Sequence, residues 1–460
     1  MEYPPLLEQI SKKLKAHNAK AILIGGCVRD HILGHPTKDY DVEMYGIANI
    51  ANFEQLQALL EEFGELNVVG KSFGVAKLQK DGFEYDFSLP RKERKIGDKH
   101  TDFSVETFAN LTYEEAFSRR DFTINAIGYD IEAKEYIDPF NGRRDLTQKI
   151  LKHIDKSTFI EDPLRVYRAV QFAARFELTI DPQTQELCKM MVAQNMLDSL
   201  PKERVYEEFK KLLLLAKKPS IGFELMRSLG ILRYFPELAA IIDTPQDQKW
   251  HPEGDVWRHT MMCIDEMSRL KTGVAKKDVM LMFAALCHDL GKATHTQITK
   301  EKISAIGHEE AGVQPMYALL GRLTNDKELP TSIEPLIRYH LAPSHFYKNG
   351  AKDKAIKKLA TKVSIEDLLT LARADFFART TPEALRKEYK AGDWLEAKAK
   401  ELEVLKEALA PLLRGKDLIG LGLTPSERFK TLLEKAYEAQ LEGKFDTHTQ
   451  AIKWAETNLL

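Results

Sequence analysis

The chain changes its hydrophobic periodicity near residue 150, and this switch limits the folds that it can adopt. Before that point, short apolar stretches such as AILIGG (21–26) and DYDVEMY (39–45) predict strands between short helices. Beyond it, stretches such as LRVYRAVQFAARF (164–176) carry apolar residues at helical spacing. The sequence therefore predicts an α+β fold, in which an N-terminal mixed sheet with helices is followed by all-α regions.

Polar segments that contain proline and glycine divide the helical part. The stretch DTPQDQKWHPEGDV (243–256) predicts a linker, and a second polar break near 411–426 separates the last helices. A chain of 460 residues is long enough for several cores. We expect four parts, which are a mixed head (1–148), a helical neck and body (149–242), a third helical domain (250–380) and a helical tail (381–460).

The charge balance excludes a protein that binds polyanions through its overall charge. Lys and Arg number 67 and Asp and Glu number 69, which gives a formal net charge of −2. A nucleic-acid partner would therefore need local positive fields. Basic residues are concentrated at 91–95, 202–218 and 348–358, and these groups predict a basic track along head, neck and tail.

Features of the whole chain favour the cytoplasm. No run of about 18 apolar residues predicts a membrane span. The start, MEYPPLLEQI, lacks the basic and apolar regions of a signal peptide. The 4 cysteines are scattered, without a C-x-x-C pair, which is typical of a reducing compartment. We expect a cytoplasmic protein without a membrane partner.

A glycine pair and two aspartates predict a site for nucleotide and metal. Gly25 and Gly26 follow a predicted strand and precede a predicted helix, where backbone can approach a phosphate closely. Asp39 and Asp41 are two residues apart on a predicted strand, so both carboxylates lie on one face. Such a pair suits Mg²⁺ held together with substrate phosphates. Asp86, in the strand EYDFS, is a candidate third carboxylate.

Arg29 lies one turn inside the helix after the glycine pair, where its charge could meet a triphosphate. A G-G pair alone is usually a turn, and a D-x-D pair alone is more often a solvated strand face. The combination, with the aspartates fourteen and sixteen residues after Gly25, is much more specific.

GGCVRD (25–30) followed by KDYD (38–41) resembles the class II branch of the nucleotidyltransferase superfamily, which contains the tRNA CCA-adding enzymes and the bacterial poly(A) polymerases. The resemblance implies a polymerase-beta-like head. It also implies that Asp39, Asp41 and Asp86 are catalytic, that Asp39 and Asp41 hold Mg²⁺, and that Gly25, Gly26, Arg29, Arg120 and Asp121 bind the nucleotide. The same motif order continues through RRDFTINAI (119–127), IDPFNGRRDL (137–146), EDPLRVYRAVQFAARF (161–176) and LPKERVYEEFKKLL (200–213).

Near its start, the motif EDPLRVYRAVQFAARF (161–176) carries an aspartate followed by two arginines. Asp162 precedes a proline and is a natural N-cap, which alone would explain it, and Arg165 and Arg168 lie one turn apart. An accepting Asp and a donating Arg match the Watson–Crick edge of cytosine or adenine, whereas uracil and guanine present a carbonyl that Asp162 would repel. The resemblance assigns base reading to Asp162, Arg165 and Arg168. Gln171 stands where many members have a third arginine.

The basic run RKERK (91–95) lies between two head motifs. Its composition is typical of a solvated loop. The resemblance implies a mobile loop near the incoming nucleotide or the RNA 3′ end, which influences whether A is added after C.

Histidines and aspartates beyond residue 255 form a third group. Each of them alone is more often a core residue, but imidazole and carboxylate groups together suit transition metals. A metal held in this way lowers the pKa of bound water and makes a nucleophile at neutral pH. The group consists of His259, His288, Asp289, His308, His340 and Asp375, all on predicted helices or at their ends.

The order of these residues resembles the HD phosphohydrolase superfamily, of which Lys292 in HDLGK is also typical. The resemblance implies a two-metal site with all six residues as ligands of Ni²⁺, Mn²⁺, Co²⁺ or a similar ion. A head of the first type joined to an HD domain resembles the multifunctional CCA proteins of bacteria, whose HD domain hydrolyses phosphomonoesters and 2′,3′-cyclic phosphates. The segment 415–445 resembles their RNA-binding tail, although TPSERF (424–429) replaces the usual glycine-bearing segment.

We therefore expect a template-independent enzyme that adds C and A from CTP and ATP to the 3′ end of tRNA and carries an HD phosphohydrolase. One alternative is a poly(A) polymerase, or an enzyme that adds only CC or only A. Another alternative, of a different class, is a metal-dependent phosphohydrolase whose head merely binds RNA. The expected partners are tRNA, ATP and CTP, and the oligomeric state is open, with a homo-oligomer among the expectations.

Overall fold

The computed structural model describes residues 1–46, 53–69, 75–95, 103–107 and 111–460. Two compact units divide the chain: residues 1–212 with 221–231 form the first, and residues 213–220 with 232–460 form the second. The main sheet belongs to the first unit, and helices dominate the second, so the predicted α+β class is confirmed. The finer division into four parts stays a prediction.

The strands are β1 (Lys20–Ile24), β2 (Asp39–Tyr45), β3 (Leu66–Val69), β4 (Val75–Lys80), β5 (Phe83–Ser88), β6 (Arg91–Lys95), β7 (Phe103–Thr107), β8 (Gly128–Asp130), β9 (Glu135–Ile137), β10 (Ile150–Leu151), β11 (Thr179–Ile180), β12 (Gln297–Ile298) and β13 (Ile303–Ser304).

The helices that begin before residue 231 are α1 (Pro5–Lys15), α2 (Gly26–Ile32), α3 (Phe53–Glu61), α4 (Tyr113–Phe117), α5 (Gly142–Thr147), α6 (Lys156–Glu161), α7 (Leu164–Phe176), α8 (Pro182–Ala193), α9 (Lys202–Leu215) and α10 (Ser220–Ser228). Those beyond it are α11 (Pro236–Ala239), α12 (Val256–Arg269), α13 (Ala275–Cys287), α14 (Lys292–His295), α15 (His308–Ala311), α16 (Val313–Leu323), α17 (Glu328–Tyr339), α18 (Ala342–Asn349), α19 (Asp353–Ala360), α20 (Ile365–Phe377), α21 (Pro382–Leu385), α22 (Lys390–Glu401), α23 (Gly415–Gly420), α24 (Arg428–Leu441) and α25 (His448–Asn458).

The main sheet of the first unit has seven strands in the order β3-β4-β5-β2-β1-β8-β9. The central pair β2 and β5 is parallel, and the other neighbouring pairs are antiparallel. Along β2 the side chains of Tyr40, Val42 and Met44 are buried on one face, where they contribute to the core. Because side chains alternate along a strand, the acidic side chains of β2 share the opposite face.

The turn between β1 and α2 depends on Gly25. Its φ of 78° lies in the left-handed region, which favours glycine. A Cβ at this position would lie 2.5 Å from Nη1 of Arg120. The glycine therefore lets the strand turn sharply into the helix and leaves room for an arginine guanidinium beside the backbone.

The basic run at 91–95, for which a loop was expected, forms strand β6. It pairs antiparallel with β7, from Arg91 opposite Thr107 to Lys95 opposite Phe103. A run of charges has no apolar alternation, so the strand depends on backbone pairing with a partner that lies a dozen residues further along. The loop interpretation of 91–95 is wrong, and residues 96–102 lie outside the described part of the chain.

The second unit is built on long buried helices. Helix α12 packs against α13 and α20, and α13 packs against α17. Asp255 caps α12 because its side chain accepts a hydrogen bond from the backbone of Arg258 at 2.9 Å. Trp257 follows immediately and is only 1% exposed, so the first turn of α12 is held by a cap and by the core together.

The polar break predicted near 411–426 contains the short helix α23. Leu418 of this helix is buried in a small core with Ala436, Phe445 and Ala451. The helix escaped prediction because its six residues include two glycines, so it carries too little periodicity. Among the described residues, no helix combines the length and the apolar character needed to cross a membrane.

Many lysines of the predicted basic groups pair with carboxylates of the same unit. Lys210 and Lys211 lie 3.3 and 2.9 Å from Glu207 and Glu208, one helical turn away. In the second unit, Lys354 and Lys358 pair with the tail helix α24 through Glu442 and Glu438. These pairs reduce the local positive field, and a continuous basic track stays a prediction.

Candidate functional site

The acidic face of the main sheet brings the predicted catalytic carboxylates together. Asp39 and Asp41 lie on β2, and Asp86 lies opposite Asp41 on the parallel strand β5. Residues in register on adjacent strands point to the same face, so Asp41 and Asp86 are neighbours. Partial loss of solvent raises the pKa of Asp41, against the charge of Arg120, and the charges of Asp86 and Glu43 raise it further. A cation at this position would relieve that repulsion.

Lys77 extends the same row of side chains, and sequence reasoning missed it. It lies opposite Asp86 on β4, and its Nζ is 2.6 Å from Oδ2 of Asp86. The alternation of VAKLQK could have indicated its face, but only the strand order places β4 beside β5. Asp86 is therefore partly neutralised by a lysine, and metal binding by Asp39 and Asp41 stays a prediction.

A buried glutamate on β2 anchors the arginines of the RRDFTINAI motif. Glu43 is 1% exposed, and its Oε1 lies 2.7 Å from Nη2 of Arg119 and 3.7 Å from Nη2 of Arg120. Tyr45 donates its hydroxyl to the other oxygen at 2.8 Å. Arg120 also donates Nη1 to the carbonyl of Asn125 at 3.3 Å. These contacts hold Arg120 beside the Gly25 turn, where the sequence predicts a nucleotide.

Arg29 lies inside the first unit. It is 4% exposed, donates to Asp30 at 2.8 Å and to the side chain of Asn125, and stacks its guanidinium on Phe176 at 4.6 Å from the ring centroid. In this structure Arg29 thus supports the packing of α2 on α7. The predicted contact of Arg29 with a triphosphate stays a prediction.

Asp121 and Arg168 form an ion pair that joins two predicted motifs. Arg168 donates Nε to Oδ2 of Asp121 at 2.7 Å. The other oxygen of Asp121 accepts from the backbone of Phe122 at 2.8 Å and from Nδ2 of Asn125 at 2.9 Å. Burial alone would raise the pKa of Asp121, but Arg168 and these hydrogen bonds hold it below its ordinary value. Asp121 is therefore an ionised anchor for Arg168.

The predicted base-reading residues lie together at the start of α7. Asp162 accepts a hydrogen bond from the backbone of Leu164 at 3.1 Å, which matches its predicted capping position. Arg165 donates Nη2 to the carbonyl of Arg119 at 2.6 Å, and so connects α7 with the RRDFTINAI motif. The second oxygen of Asp162 pairs with Arg204 of α9 at 2.9 Å. Sequence reasoning counted Arg204 in a motif and in the basic group 202–218 but did not pair it with Asp162.

The six histidines and aspartates predicted as HD ligands converge in the second unit. Nε2 of His259 lies 3.1 Å from Oδ1 of Asp375 and 3.8 Å from Oδ2 of Asp289. Nε2 of His288 and Nε2 of His308 each lie 3.2 Å from an oxygen of Asp289. Nε2 of His340 lies 3.9 Å from Asp289 and 3.3 Å from Nε2 of His308. Residues far apart in sequence therefore present their donor atoms to one centre, which we call the HD cluster.

Backbone carbonyls fix the orientation of three of these rings. Nδ1 of His288, His308 and His340 lies 2.8, 2.6 and 2.7 Å from the carbonyl oxygen three residues earlier. A carbonyl only accepts, so each Nδ1 carries the hydrogen and each Nε2 keeps a lone pair for the centre. The arrangement is typical of metal-binding histidines, whose second nitrogen is held by an outer hydrogen bond.

Buried polar atoms test whether the HD cluster fits a metal. Within the described residues, Nε2 of His288 and both oxygens of Asp289 are buried without a hydrogen bond of suitable geometry, although Nζ of Lys292 lies 2.7 Å from Asp289. Burial, together with His308 and His288, lowers the pKa of His340 to about 3, so this ring is neutral. Burial opposes ionisation of Asp289, but His288 and Lys292 hold its pKa well below the ordinary value. Against the effect of burial, hydrogen bonds to Asp375 and Asp289 raise the pKa of His259 and His308, so a metal would bind these two rings in place of a proton. Imidazole nitrogen beside ionised carboxylate is the donor set that a transition metal prefers, so the residues fit one.

The segment predicted as a linker, 243–256, is part of this site. Glu253, 3% exposed, accepts from Nδ1 of His259 at 2.7 Å and from Nδ1 of His251 at 2.9 Å. Gln246 accepts from Nζ of Lys292 at 2.8 Å. The linker interpretation is wrong because these polar side chains turn inward, which composition does not reveal. The sequence did contain a signal of this site, because His251 and Glu253 stand shortly before Asp255, the cap of α12.

Two cations complete the surroundings of the HD cluster. Lys292 is the residue noted in HDLGK, and Arg379, which was missed, lies one turn after Asp375 on the chain. Nη2 of Arg379 lies 3.1 and 3.2 Å from the two oxygens of Asp375. The cluster opens into a cavity of about 490 Å³, lined among others by Asp289, His308, His340 and Asp375. A volume of this order accommodates a small organic ligand.

The fold is that of a nucleotidyltransferase head followed by an HD domain. Family profiles agree: the Poly A polymerase head domain matches residues 21–152, the probable RNA and SrmB-binding site of polymerase A matches 177–242, and the HD domain matches 256–379. The chain belongs to the family of multifunctional CCA proteins. It is 36% identical to the Multifunctional CCA protein of Mannheimia succiniciproducens over 374 residues, which are 78% of this chain and 84% of that protein. It is also 39% identical to the Multifunctional CCA protein of Xanthomonas oryzae pv. oryzae over 307 residues, which are 66% of this chain and 70% of that protein.

Solved structures share the fold. A CCA-adding enzyme in complex with CTP aligns over 99% of this chain and 95% of its own, with a TM-score of 0.63 and 19% identity. The CCA-adding enzyme of Thermotoga maritima, complexed with tRNA, aligns over 99% of this chain and 95% of its own, with a TM-score of 0.58 and 20% identity. That of Bacillus stearothermophilus, in complex with CTP, aligns over 99% of both chains with a TM-score of 0.61 and 20% identity.

Proposed function

We propose that this protein adds C and A from CTP and ATP to the 3′ end of tRNA without a nucleic-acid template, and that its HD domain hydrolyses phosphate esters. The observation that carries the first activity is the placement of Asp39, Asp41 and Asp86 on one face of the sheet. Asp39 and Asp41 of this row lie on β2, which pairs with β1, and the end of β1 leads into the Gly25 turn. The relatives from Mannheimia succiniciproducens and Xanthomonas oryzae pv. oryzae are multifunctional CCA proteins, which supports the pairing of the two activities.

In the head, Asp39 and Asp41 would hold Mg²⁺, and a cation there would supply charge stabilisation to the attacking ribose hydroxyl and to the leaving pyrophosphate. The Gly25–Gly26 turn brings backbone N–H groups close to the phosphates because no Cβ stands in the way. Arg120 lies over this turn and is held there by Glu43. Its charge stabilises the triphosphate as negative charge moves onto the leaving group.

At the start of α7, the Asp162 carboxylate accepts from the exocyclic amine of cytosine or adenine, and arginine donates to the ring nitrogen. Asp121 fixes Arg168, and the backbone of the RRDFTINAI motif fixes Arg165. A template made of side chains held in this way excludes uracil and guanine through an unfavourable contact between carbonyl and carboxylate.

In the HD domain, the six clustered residues would hold one or two transition-metal ions such as Ni²⁺, Mn²⁺ or Co²⁺, which make a nucleophile from water at neutral pH. Glu253 keeps the hydrogen of His259 on Nδ1 and leaves Nε2 for the centre. Lys292 and His288 both contact the carboxylate of Asp289. The charge of Lys292 would stabilise a phosphate bound at the cluster.

Incubation with CTP, ATP and tRNAs that end before C, after CC and after CCA tests the proposed addition. We expect extension of the first two substrates to CCA and none of the third. Repeated incorporation of A alone on generic RNA would show a poly(A) polymerase, and extension by only C or only A would show a partial enzyme. Hydrolysis without any extension would favour a phosphohydrolase with an RNA-binding head.

The expected substrate places the protein in the cytoplasm, where tRNA is processed in bacteria. A homo-oligomer stays a prediction that oligomeric-state measurements in solution would decide.

Replacement of Asp162 by asparagine separates its two roles. Asparagine caps a helix about as well as aspartate, so the hydrogen bond to Leu164 persists and the melting temperature changes little. Its amide can also donate to a carbonyl, so we expect discrimination of CTP and ATP against UTP and GTP to fall by about 10- to 100-fold, the weight of one good base contact. The measurement is kcat/KM for each of the four nucleotides on tRNA.

Asp155→Asn is the matched control. Asp155 is the N-cap of the preceding helix α6 and accepts from the backbone of Thr158 at 2.9 Å, as Asp162 accepts from the backbone of Leu164 just before α7. We expect this variant to keep the discrimination of the wild type. If Asp162→Asn also keeps it while remaining folded, Asp162 is a cap and not a base reader.

A further inference from the structure

Two large apolar side chains stand in solvent at the cavity of the HD domain. Trp250 is 56% exposed and Ile306 is 84% exposed, and both line this cavity. An exposed tryptophan at a concave site is unusual for a soluble protein, because burial of its large ring is strongly favourable. The two residues belong to separate segments of the second unit, one before α12 and one between β13 and α15.

Both segments are tied to the HD cluster. Trp250 directly precedes His251, whose Nδ1 lies 2.9 Å from Glu253, the residue that orients His259. Ile306 directly follows Ala305, whose carbonyl lies 2.6 Å from Nδ1 of His308. The backbone beside each apolar side chain is therefore held by residues that orient the HD cluster.

We infer that Trp250 and Ile306 bind the nucleobase of a phosphate ester whose phosphate lies at the HD cluster. The inference rests on the proposed hydrolysis at this site and adds the part of the substrate that does not react. A nucleobase has flat apolar faces that stack on a tryptophan ring and pack against an aliphatic side chain. Nζ of Lys249 lies over one face of the Trp250 ring, 5.0 Å from its centroid, and this cation–π contact helps to orient the indole.

The chemistry of the cavity supports this division of roles. One set of lining residues is charged or metal-binding, including Asp289, Lys292 and Asp375, and suits a phosphate. The other set is apolar and exposed. A phosphate ester without a base would leave Trp250 and Ile306 in water and would gain nothing from them, so these two residues determine specificity for nucleotides over simple phosphate esters.

A pair of secondary phosphomonoesters tests the inference, namely adenosine 2′-monophosphate, which carries a base, and 2-glycerophosphate, which does not. We expect Trp250→Ala to raise KM for the nucleotide by at least about tenfold, the usual weight of base stacking on an aromatic ring. The kcat/KM for 2-glycerophosphate should stay close to that of the wild type. Trp250→Phe keeps an aromatic face and should restore most of the affinity, and Ile306→Ala should raise the same KM by a smaller factor.

Tyr347→Ala and Leu385→Ala are matched controls, since both residues are exposed apolar side chains of the second unit that do not line the cavity. Their kinetics should equal those of the wild type, and all variants should bind the same amount of metal. Equal losses for the two substrates in Trp250→Ala, or no loss for either, would overturn the inference.

A separate result identifies failure of the proposed hydrolysis. If the wild type hydrolyses neither compound with Mn²⁺, Co²⁺ or Ni²⁺ present, hydrolysis is absent, and calorimetric titration with adenosine 2′-monophosphate in the presence of saturating CTP decides the inference. Weaker binding to Trp250→Ala than to Trp250→Phe would support the base site, and equal binding would reject it.

Discussion

Asp41→Ala will lower nucleotide addition to tRNA by at least about 1000-fold, while hydrolysis at the HD cluster keeps its rate. Removal of one of two metal-binding carboxylates forfeits several kcal/mol of transition-state stabilisation, and each 1.36 kcal/mol is a factor of ten in rate. The site is specific because Asp41 and Asp86 are in register on parallel strands, so no other carboxylate can take the place of Asp41 without a shift of the strand. The measurement compares single-turnover addition of C to tRNA with phosphatase turnover in the same preparation.

Glu84→Ala provides the matched control for this experiment. Glu84 lies in register with Asp39 on the same face of the sheet, and its carboxylate accepts a hydrogen bond from Gln79 at 2.7 Å. It is not one of the predicted metal ligands. We expect only a small change in addition for this variant. Full addition by Asp41→Ala, or parallel loss of both activities, would contradict the assignment of the metal site to β2.

Asp289→Ala will abolish hydrolysis and metal binding in the HD domain and leave addition to tRNA unchanged. Asp289 lies within 4 Å of His259, His288, His308 and His340, so its loss removes the shared ligand of the whole cluster. Removal of metal by a chelator should have the same effect on hydrolysis in the wild type, and Ni²⁺, Mn²⁺ or Co²⁺ should restore it. The measurements are metal content per chain and phosphate release.

Asp278→Asn tests whether mere loss of a buried carboxylate in the same unit has this effect. Asp278 is buried and accepts hydrogen bonds from the backbone of Thr272 and Gly273 at 2.7 and 2.9 Å. It is not one of the six predicted ligands. We expect this variant to unfold at lower temperature but to keep its metal content. Metal retained by Asp289→Ala would refute the proposed ligand set.

The sequence predicted those parts of the sites that depend on local order. Alternation along β2 predicted the common face of Asp39 and Asp41, and the glycine pair predicted the turn before α2. The order of histidines and aspartates, compared with a known superfamily, predicted the membership of the HD cluster. Each of these features needs only the spacing of residues along the chain.

The parts that escaped prediction depend on pairing between distant segments. Lys77 reaches Asp86 because β4 neighbours β5, and Arg204 reaches Asp162 because α9 packs near the start of α7. Strand β6 was missed because a charged strand is stabilised by its partner and not by its own pattern. Polar residues such as Glu43 and Glu253 look solvated in a sequence, and only the fold shows that they are buried among arginines and histidines.

The inward turn of residues 243–256 determines where this domain can be cut or exchanged. The HD profile match starts at residue 256, so a fragment that begins there would keep all six predicted ligands. It would lack Glu253, which is hydrogen-bonded to His259, and Gln246, which is hydrogen-bonded to Lys292. His259 would then keep its contact with Asp375 but lose the acceptor that holds the hydrogen on Nδ1. A chimera that joins this HD domain to another head should therefore place its junction before Asp243, whose backbone is bonded to the cap residue Asp255 at 2.7 Å.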